Sequence, residues 1–337
     1  MVQRSAILVH PHFDATWPWA ADYLRDLWQA QGEVQFVRLV SGDTRPVGEV
    51  LSSPETVERL IVLHVPVTER CLKTLESLKE AAFETSLPAG ADDLLTARGV
   101  HWYHHRSEGF WGESVSEFGL ALTLCGLRRI PQLHRQMVTD LSTWDYNPPG
   151  GVGQPGARGA QFGDDPHFTN GAVAGKRIRI VGAGNIASRY ARFTTMLGAE
   201  VAAWDPFASE PCFHLAGTRR IERLEDLVTD AEIFVPMVPL TEKTHGLVTA
   251  EHLRALPTGC LVVLVTRAQI CDVEVLRQRV LADEIALAAD VFDREPLPLD
   301  DPLLGRHNVV HTPHNAGRTV HSNQQWALAL AEQFRQP

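Results

Sequence analysis

The sequence predicts an α/β chain of two domains, each organised around a parallel β-sheet. Three observations carry this reading. Short runs rich in Val, Ile and Leu alternate with helical patterns in both halves, and an irregular Gly- and Pro-rich stretch separates the halves. The runs of the second half are almost continuously apolar, as strands covered on both faces must be. Finally, 337 residues are enough for two domains that each bury a core.

In the first half, AILVH (Ala6 to His10), VQFVRLV (Val34 to Val40) and LIVLHV (Leu60 to Val65) read as strands. Trp17 to Ala30 reads as a helix, and so does Glu69 to Lys79, which sets Leu72, Leu75 and Leu78 on one face. Ser114 opens a long helix reaching about Arg135, with S-V-S-E as a capping box in which Glu117 stands three residues after the cap. Its middle, FGLALTLCGL, is apolar nearly all round, which predicts burial between domains or subunits. Residues 143–174 are the least regular, with seven Gly and four Pro from Pro148 to Ala174. They read as an extended loop or lid, or as a surface excursion without a role.

From Lys176 the β/α rhythm returns. Strand RIRIVG is followed by helix Ile186 to Leu197, strand AEVAAWD, a helix near Leu224 and strand EIFVPMV. Helix Ala250 to Leu256, strand CLVVLVT, helix Val273 to Leu281, and strands IALAADVF and NVVHTP complete it. The run RRIERLEDL reads as a solvated helix face.

Composition narrows the function. A net charge of −10 argues against a duplex nucleic-acid binder, yet leaves room for a small anionic substrate held by one Arg in a cleft. Five scattered cysteines with no CxxC spacing imply reduced thiols and a cytoplasmic protein. The start, MVQRSAILVHPHFD, has no secretory apolar core of adequate length, and nothing is long enough to span a bilayer. Among the histidines, His101, His104 and His105 have an H-x-x-H-H spacing, but further rigid ligands are missing, so no metal is expected. His10 and His12 follow the first strand and are candidates to touch a substrate in the domain cleft; Met237 reads as packing.

The strongest local motif is IVGAGNIA, residues 180–187. Gly182 permits a tight strand-to-helix turn, Gly184 lets the backbone approach a pyrophosphate, and Ala187 is small enough for close helix–strand packing. The amides at Asn185 and Ile186 open a helix whose positive end suits phosphates. A second strand ends at Asp205, where a carboxylate can accept hydrogen bonds from the adenosine ribose. That carboxylate repels a 2′-phosphate, so the expected cofactor is NAD. The architecture is therefore two Rossmann-like or flavodoxin-like domains, with the cofactor cleft between them.

Three polar residues fall just beyond strand ends in the second half: Arg267 after CLVVLVT, Glu295 after ALAADVF and His314 after NVVHTP. Open α/β sheets bind ligands at such ends. An imidazolium can donate a proton as hydride reaches a carbonyl, a carboxylate can orient it, and an Arg fork can hold a substrate carboxylate.

With SVSE, IVGAGNIA, WDP, VPLTEKTHGLV, VLVTRAQICD, AADVFDREPLP and HTPHNAGRT in order, the stretch from about Ser114 to Gly317 resembles the D-isomer-specific 2-hydroxyacid dehydrogenase family. That family includes phosphoglycerate, hydroxypyruvate/glyoxylate and D-lactate dehydrogenases. The resemblance implies that Arg267 binds substrate, His314 is the acid/base and Glu295 is its partner. It implies that Asp290 meets the nicotinamide amide with help from the backbone at Val265 and Thr266, and that Gly317 belongs to the cofactor site. It also implies a chain that ends in the domain where it began. The substrate domain is then residues 1–112 with 318–337, the NAD domain is residues 113–317, and a homodimer forms through the latter.

Two departures bear on substrate. Arg267-Ala268 replaces the family's Arg-Gly, and the carboxylate-gripping Gly-rich loop has only a loose counterpart in PAGADD, with Ala89, Gly90 and Ala91 as its candidate amides. The segment HWYHHRSEGFW from His101 to Trp111 is aromatic and His-rich and suits an altered substrate pocket. The reading is an NAD(H)-linked oxidoreductase of a small 2-hydroxy or 2-keto acid. Its alternatives are a non-catalytic dinucleotide sensor of the corepressor kind, or a related dehydrogenase of formate or phosphite.

Overall fold

The computed structural model describes residues 4–106 and 109–334. The chain divides into two compact units, Met1–Phe110 with Arg318–Pro337, and Trp111–Gly317.

The first unit contains, in chain order, β1 (Ser5–Val9), α1 (Pro11–Thr16), α2 (Ala20–Gln29), β2 (Val34–Arg38), α3 (Val47–Val50), β3 (Arg59–Leu63), α4 (Glu69–Thr74), β4 (Glu80–Glu84), α5 (Ala91–Ala97) and β5 (His101–Tyr103). Its sheet is parallel throughout, in the order β2-β1-β3-β4-β5, with Ile7 beside Ile61 and Ile61 beside Ala82. Every residue of β1 and β3 is buried, the condition for a sheet covered on both faces. Strands β4 and β5 escape the sequence reading because EAAFE carries a weak apolar run and HWY, though its aromatics favour strand, is only three residues long; pairing in the sheet makes both strands. The helix expected from Glu69 to Lys79 stops at Thr74, and Leu75 and Leu78 are buried from the following turn instead. The helix expected from Trp17 begins at Ala20, with α1 before it, and Pro18 lies in the break. The chain's last helix packs on α2, and Trp326, Ala327, Leu330 and Phe334 join Ile7, Phe13, Leu24 and Trp28 in one core.

The second unit opens with α6 (Gly112–Arg128) and α7 (Ile130–Met137). The predicted capping box is not the start of α6. Trp111 stands at the cap in place of Ser114, Ser114 donates to the Trp111 carbonyl, and Ser116 donates to the Glu113 carbonyl. The predicted single helix is two, because Arg129 adopts left-handed backbone (φ 52°) and Pro131 sits in the first turn of α7, where its missing N–H costs nothing. One face of the apolar stretch, including Gly119, Leu122, Thr123 and Leu127, is buried within its own unit, while Ala121 and Leu124 remain exposed.

There follow β6 (Arg177–Val181), α8 (Asn185–Met196), β7 (Glu200–Trp204), α9 (Glu210–Leu215), β8 (Arg219–Arg220), α10 (Leu224–Val228), β9 (Ile233–Pro236), α11 (Ala250–Ala255), β10 (Leu261–Leu264), α12 (Val273–Leu281), β11 (Ala286–Ala289) and β12 (Val309–His311). Helix α13 (Val320–Ala331) is the last helix of the first unit. The seven-stranded parallel sheet has the order β12-β11-β10-β9-β6-β7-β8, so the chain direction across the sheet reverses between β6 and β9. RRIERLEDL is not one helix face: it starts as edge strand β8 and becomes helical only at Leu224, with Leu224, Leu227 and Val228 buried. Beyond one 3₁₀ turn at Leu141–Trp144, residues 145–174 form turns without helix or strand. No helix among the described residues is long and apolar enough to cross a membrane.

Candidate active site

The loop after β6 lies at the reversal point of the sheet, where α/β proteins of this topology bind ligands. Gly182 has φ 110°, and a Cβ there would stand 2.8 Å from the Met237 carbonyl oxygen, so the turn admits no side chain. Gly184 caps α8, and a Cβ on it would meet nothing within 4 Å, which leaves the backbone open to a ligand. Asn185 and Ile186 form the first turn of α8, with the Asn185 Oδ1 accepting from Arg189 Nε at 2.9 Å; Ala187 is buried against the sheet. Asp205, at the end of β7, ties this loop to its own turn: Oδ2 accepts from the Ala183 amide at 2.8 Å, and Oδ1 accepts from Phe207 and Ala208. An unobstructed glycine cap, an aligned helix start and a carboxylate beside the loop fit a dinucleotide.

Strands β10, β11 and β12 deliver the polar residues. Val265 and Thr266 follow β10 and are buried, with the Thr266 hydroxyl donating to the Pro236 carbonyl at 3.2 Å. Arg267 comes next, exposed, its Nη1 donating to the Thr266 carbonyl at 2.6 Å. His314 Nδ1 lies 2.6 Å from Glu295 Oε2, while the other carboxylate oxygen accepts from the Phe292 amide at 2.9 Å. Because an ionised carboxylate can only accept, Nδ1 carries a proton and Nε2 is the ring nitrogen left for chemistry. Burial pushes the Glu295 carboxyl up, but the bonds from His314 and Phe292 and the nearby charges of His314 and Arg267 outweigh it, and Glu295 lies below its ordinary value. The structure therefore brings Arg267, Glu295 and His314 together.

Asp290 is fully buried, and its carboxylate is committed to the loop that carries His314. It accepts from the Thr312 hydroxyl at 2.6 Å, the Asn315 amide at 3.0 Å and the Ala316 amide at 2.8 Å. These bonds bracket His314, whose left-handed backbone (φ 51°) needs such support. Asp290, which the family resemblance assigns to the nicotinamide amide, also clamps this loop through one hydroxyl and two backbone amides, contacts that no motif records. Gly317 packs on the start of α6, where a Cβ would stand 3.3 Å from that of Trp111.

In the first unit, Ala89 and Gly90 are exposed after β4, with Gly90 left-handed (φ 77°), whereas Ala91 is buried and its amide donates to the Pro88 carbonyl. His101, His104 and His105 do not converge. His101 starts β5, His104 packs edge-on against Trp102, and His105 stacks on Trp326 at 4.2 Å with Nε2 2.9 Å from the Trp326 carbonyl. Ser107 and Glu108 of that segment lie outside the described residues. No metal-binding cluster of His, Cys, Asp or Glu occurs among the described residues.

A dinucleotide-type loop and an Arg–Glu–His set on one parallel sheet define the class: an α/β protein with a nucleotide-binding domain. Residues 120–316 match the family described as D-isomer specific 2-hydroxyacid dehydrogenase, NAD binding domain, and the chain belongs to that family. It is similar to the D-3-phosphoglycerate dehydrogenase of Archaeoglobus fulgidus, 28% identical over 65% of this chain and 38% of that one. It is likewise similar to the glyoxylate reductase of Korarchaeum cryptofilum, 28% identical over 70% and 66%, and the (S)-sulfolactate dehydrogenase of Chromohalobacter salexigens, 34% identical over 50% and 54%. The chain thus spans less than two thirds of the length of these curated relatives, from 38% to 66%. The fold matches the D-mandelate dehydrogenase structure of Rhodotorula graminis with a TM-score of 0.68 at 21% identity, over 99% of this chain and 93% of that one.

Proposed function

We propose that this protein is an NAD(H)-dependent 2-hydroxyacid dehydrogenase that works as a reductase of small 2-keto acids. The observation that carries the reading is the 2.6 Å contact between His314 and Glu295, beside Arg267, on a domain of the NAD-binding family. When bound, NADH supplies the hydride. Gly182, Gly184, Asn185 and Ile186 hold its phosphates, Asp205 meets the adenosine ribose, and the backbone at Val265, Thr266 and Gly317 flanks the nicotinamide. Arg267 grips the substrate carboxylate and polarises the carbonyl. His314 donates its Nε2 proton to the carbonyl oxygen as this becomes a hydroxyl, while the Nδ1 proton stays with Glu295. Asp290 serves this site by holding the His314 loop, and the amides near Gly90 assist with the carboxylate.

The first unit is read as the substrate domain, with residues 1–112 and 318–337, and the second as the NAD domain, residues 113–317. A homodimer through the NAD domain is supported by its exposed apolar residues: Val138, Leu141, Trp144, Tyr146 and Val152 are each more than half exposed. Unpaired cysteines and net charge support a cytoplasmic protein that binds neither membrane nor nucleic acid.

The test is NADH oxidation with a panel of 2-keto acids, alongside His314→Ala. Turnover lost by a factor of about 10² or more in the variant is expected, the usual worth of a general acid. Tight NADH binding with no acid reduced sinks the reading.

A further inference from the structure

Strand β12 is the edge of the seven-stranded sheet, with β11, β10 and β9 between it and β6, which leads into the dinucleotide-type loop. The open side of an edge strand is usually covered by whatever lies beside it. Here α7 covers it through one side chain: Gln132 Nε2 donates to the carbonyls of His307 at 3.3 Å and Val309 at 3.0 Å. Between α7 and the segment from Gly305 to His311 lies a cavity of about 470 Å³. That volume suits a small molecule, whose sites span roughly 300–1,000 Å³.

The lining is cationic. Arg129 and Arg135 come from the two ends of α7, and Arg306 and His307 from the turn before β12. The carboxylates at hand serve the turn: Asp283 pairs with Arg306 and, at 3.0 Å, with His307, while Asp165 stands 3.6 Å from His307. Arg306 is further engaged by Asn308 Oδ1 and the Leu281 carbonyl. The two arginines of α7 are not matched in this way. Among the described residues neither has a carboxylate within 4.0 Å, and Arg129 acts on Asp165 only at longer range. Arg129 has one long bond, 3.5 Å, to the Gly163 carbonyl. Arg135 reaches across to Gly305, where a Cβ would stand 3.0 Å from its Nη1.

Two polar atoms on these lining side chains are also unanswered. Arg129 Nε, a donor, and Gln132 Oε1, an acceptor, are closed to solvent and have no hydrogen-bond partner among the described residues. Buried polar groups are ordinarily paired, and an unpaired one lowers stability. The cavity therefore suits an occupant that accepts from guanidinium groups and can also donate. An ionised carboxylate only accepts. A phosphate group presents several acceptor oxygens at different angles and keeps, near neutral pH, a proton that it can donate.

We infer that this cavity is a binding site for a phosphate-bearing small molecule, with the phosphate on Arg129 and Arg135 and the remainder against the polar wall of Gln136 and Thr139. The site lies wholly within the second unit and stands whether or not the reductase reading holds. It is separate from the loop at Gly182 and Gly184, so its occupant and a dinucleotide do not compete.

Calorimetric titration of the whole chain with inorganic phosphate, at constant ionic strength, tests it. Wild type is expected to bind phosphate, and Arg135→Gln to bind it about tenfold or more weakly, the worth of one lost charge-assisted hydrogen bond. Arg135 is exposed, so the variant should keep its fold, which circular dichroism checks. Two further variants locate the site. Arg128→Gln removes a neighbouring exposed charge that does not line the cavity, and Gly184→Asp sets a carboxylate at the open cap of α8, where a dinucleotide's phosphates would sit. Both are expected to keep wild-type affinity for phosphate. Equal weakening in Arg128→Gln and Arg135→Gln, loss of binding in Gly184→Asp, or no binding by wild type overturns the inference. Citrate bound as tightly as phosphate, with the same dependence on Arg135, overturns the assignment of a phosphate group.

Discussion

At the residue scale the chemistry rests on how two carboxylates divide the work around one imidazole. Glu295 addresses the His314 ring, and Asp290 addresses the backbone on either side of it. The ionised state of Glu295 has a measurable consequence. Its carboxyl lies below the ordinary value in the folded chain, so the stabilisation it brings is complete above the unfolded carboxylate pKa and disappears as the pH falls through the lower folded one. The unfolding free energy of wild type minus that of Glu295→Gln should therefore shrink as the pH falls from about 5 toward 3. Urea denaturation across that range checks it, and a difference that grows on acidification contradicts the assignment. The same variant retains shape but loses the charge that favours the imidazolium, so its kcat should fall more than its affinity for NADH.

At the element scale, α6 earns its burial by close approach more than by size. Gly119 stands where a Cβ would lie 3.2 Å from Met237 Cε and 3.4 Å from Tyr190 Cδ2, so the Met237 and Tyr190 side chains pack directly on the α6 backbone. One buried hydroxyl pair joins α6 to α8, Thr123 Oγ1 with Tyr190 Oη at 2.8 Å, in which Tyr190 donates because the Thr123 hydroxyl donates to the Gly119 carbonyl. Tyr190→Phe removes one partner but leaves Thr123 its carbonyl bond, so the expected loss is about 0.5–1.5 kcal/mol of stability with an unchanged fold. Equilibrium unfolding monitored by circular dichroism reads this; a loss several times larger would mean that the hydroxyl pair organises more than its own bond. The break between α6 and α7 has a similar local logic. Arg129 and Pro131 end one helix and begin another, a junction that apolar periodicity alone passes over.

At the scale of the whole molecule the open question is self-association. Apolar side chains from Val138 to Val152 stand in solvent on a segment without helix or strand beyond its first turns, an arrangement that leaves a monomer with a cluster of exposed hydrophobic groups. Sedimentation velocity at micromolar concentration is expected to give a dimer, and Leu141→Asp with Trp144→Asp to shift it to monomer without loss of secondary structure. A wild-type monomer across that concentration range removes the proposal.

Much of this protein is legible in the sequence, for reasons that lie in the range of the interactions involved. A glycine turn between an apolar strand and a helix is a local event, so Gly182, Gly184 and the carboxylate at Asp205 can be found by spacing. The positions of Arg267, Glu295 and His314 are legible because a parallel sheet sends each strand's carboxyl end to one edge. Tertiary structure decided the rest. Strands β4 and β5 are fixed by the neighbours that pair with them, since Glu and Ala favour strand little and His101–Tyr103 is too short to stand out. The S-V-S-E capping box dissolved because α6 begins one turn earlier, in a setting its own residues do not encode. Asp290 turned inward to amides that lie 25 and 26 residues further on, and His64 came to stand beside His10 across 54 residues. Sequence determines what is set within a turn or a strand, and the packed chain alone decides which distant polar groups must satisfy one another.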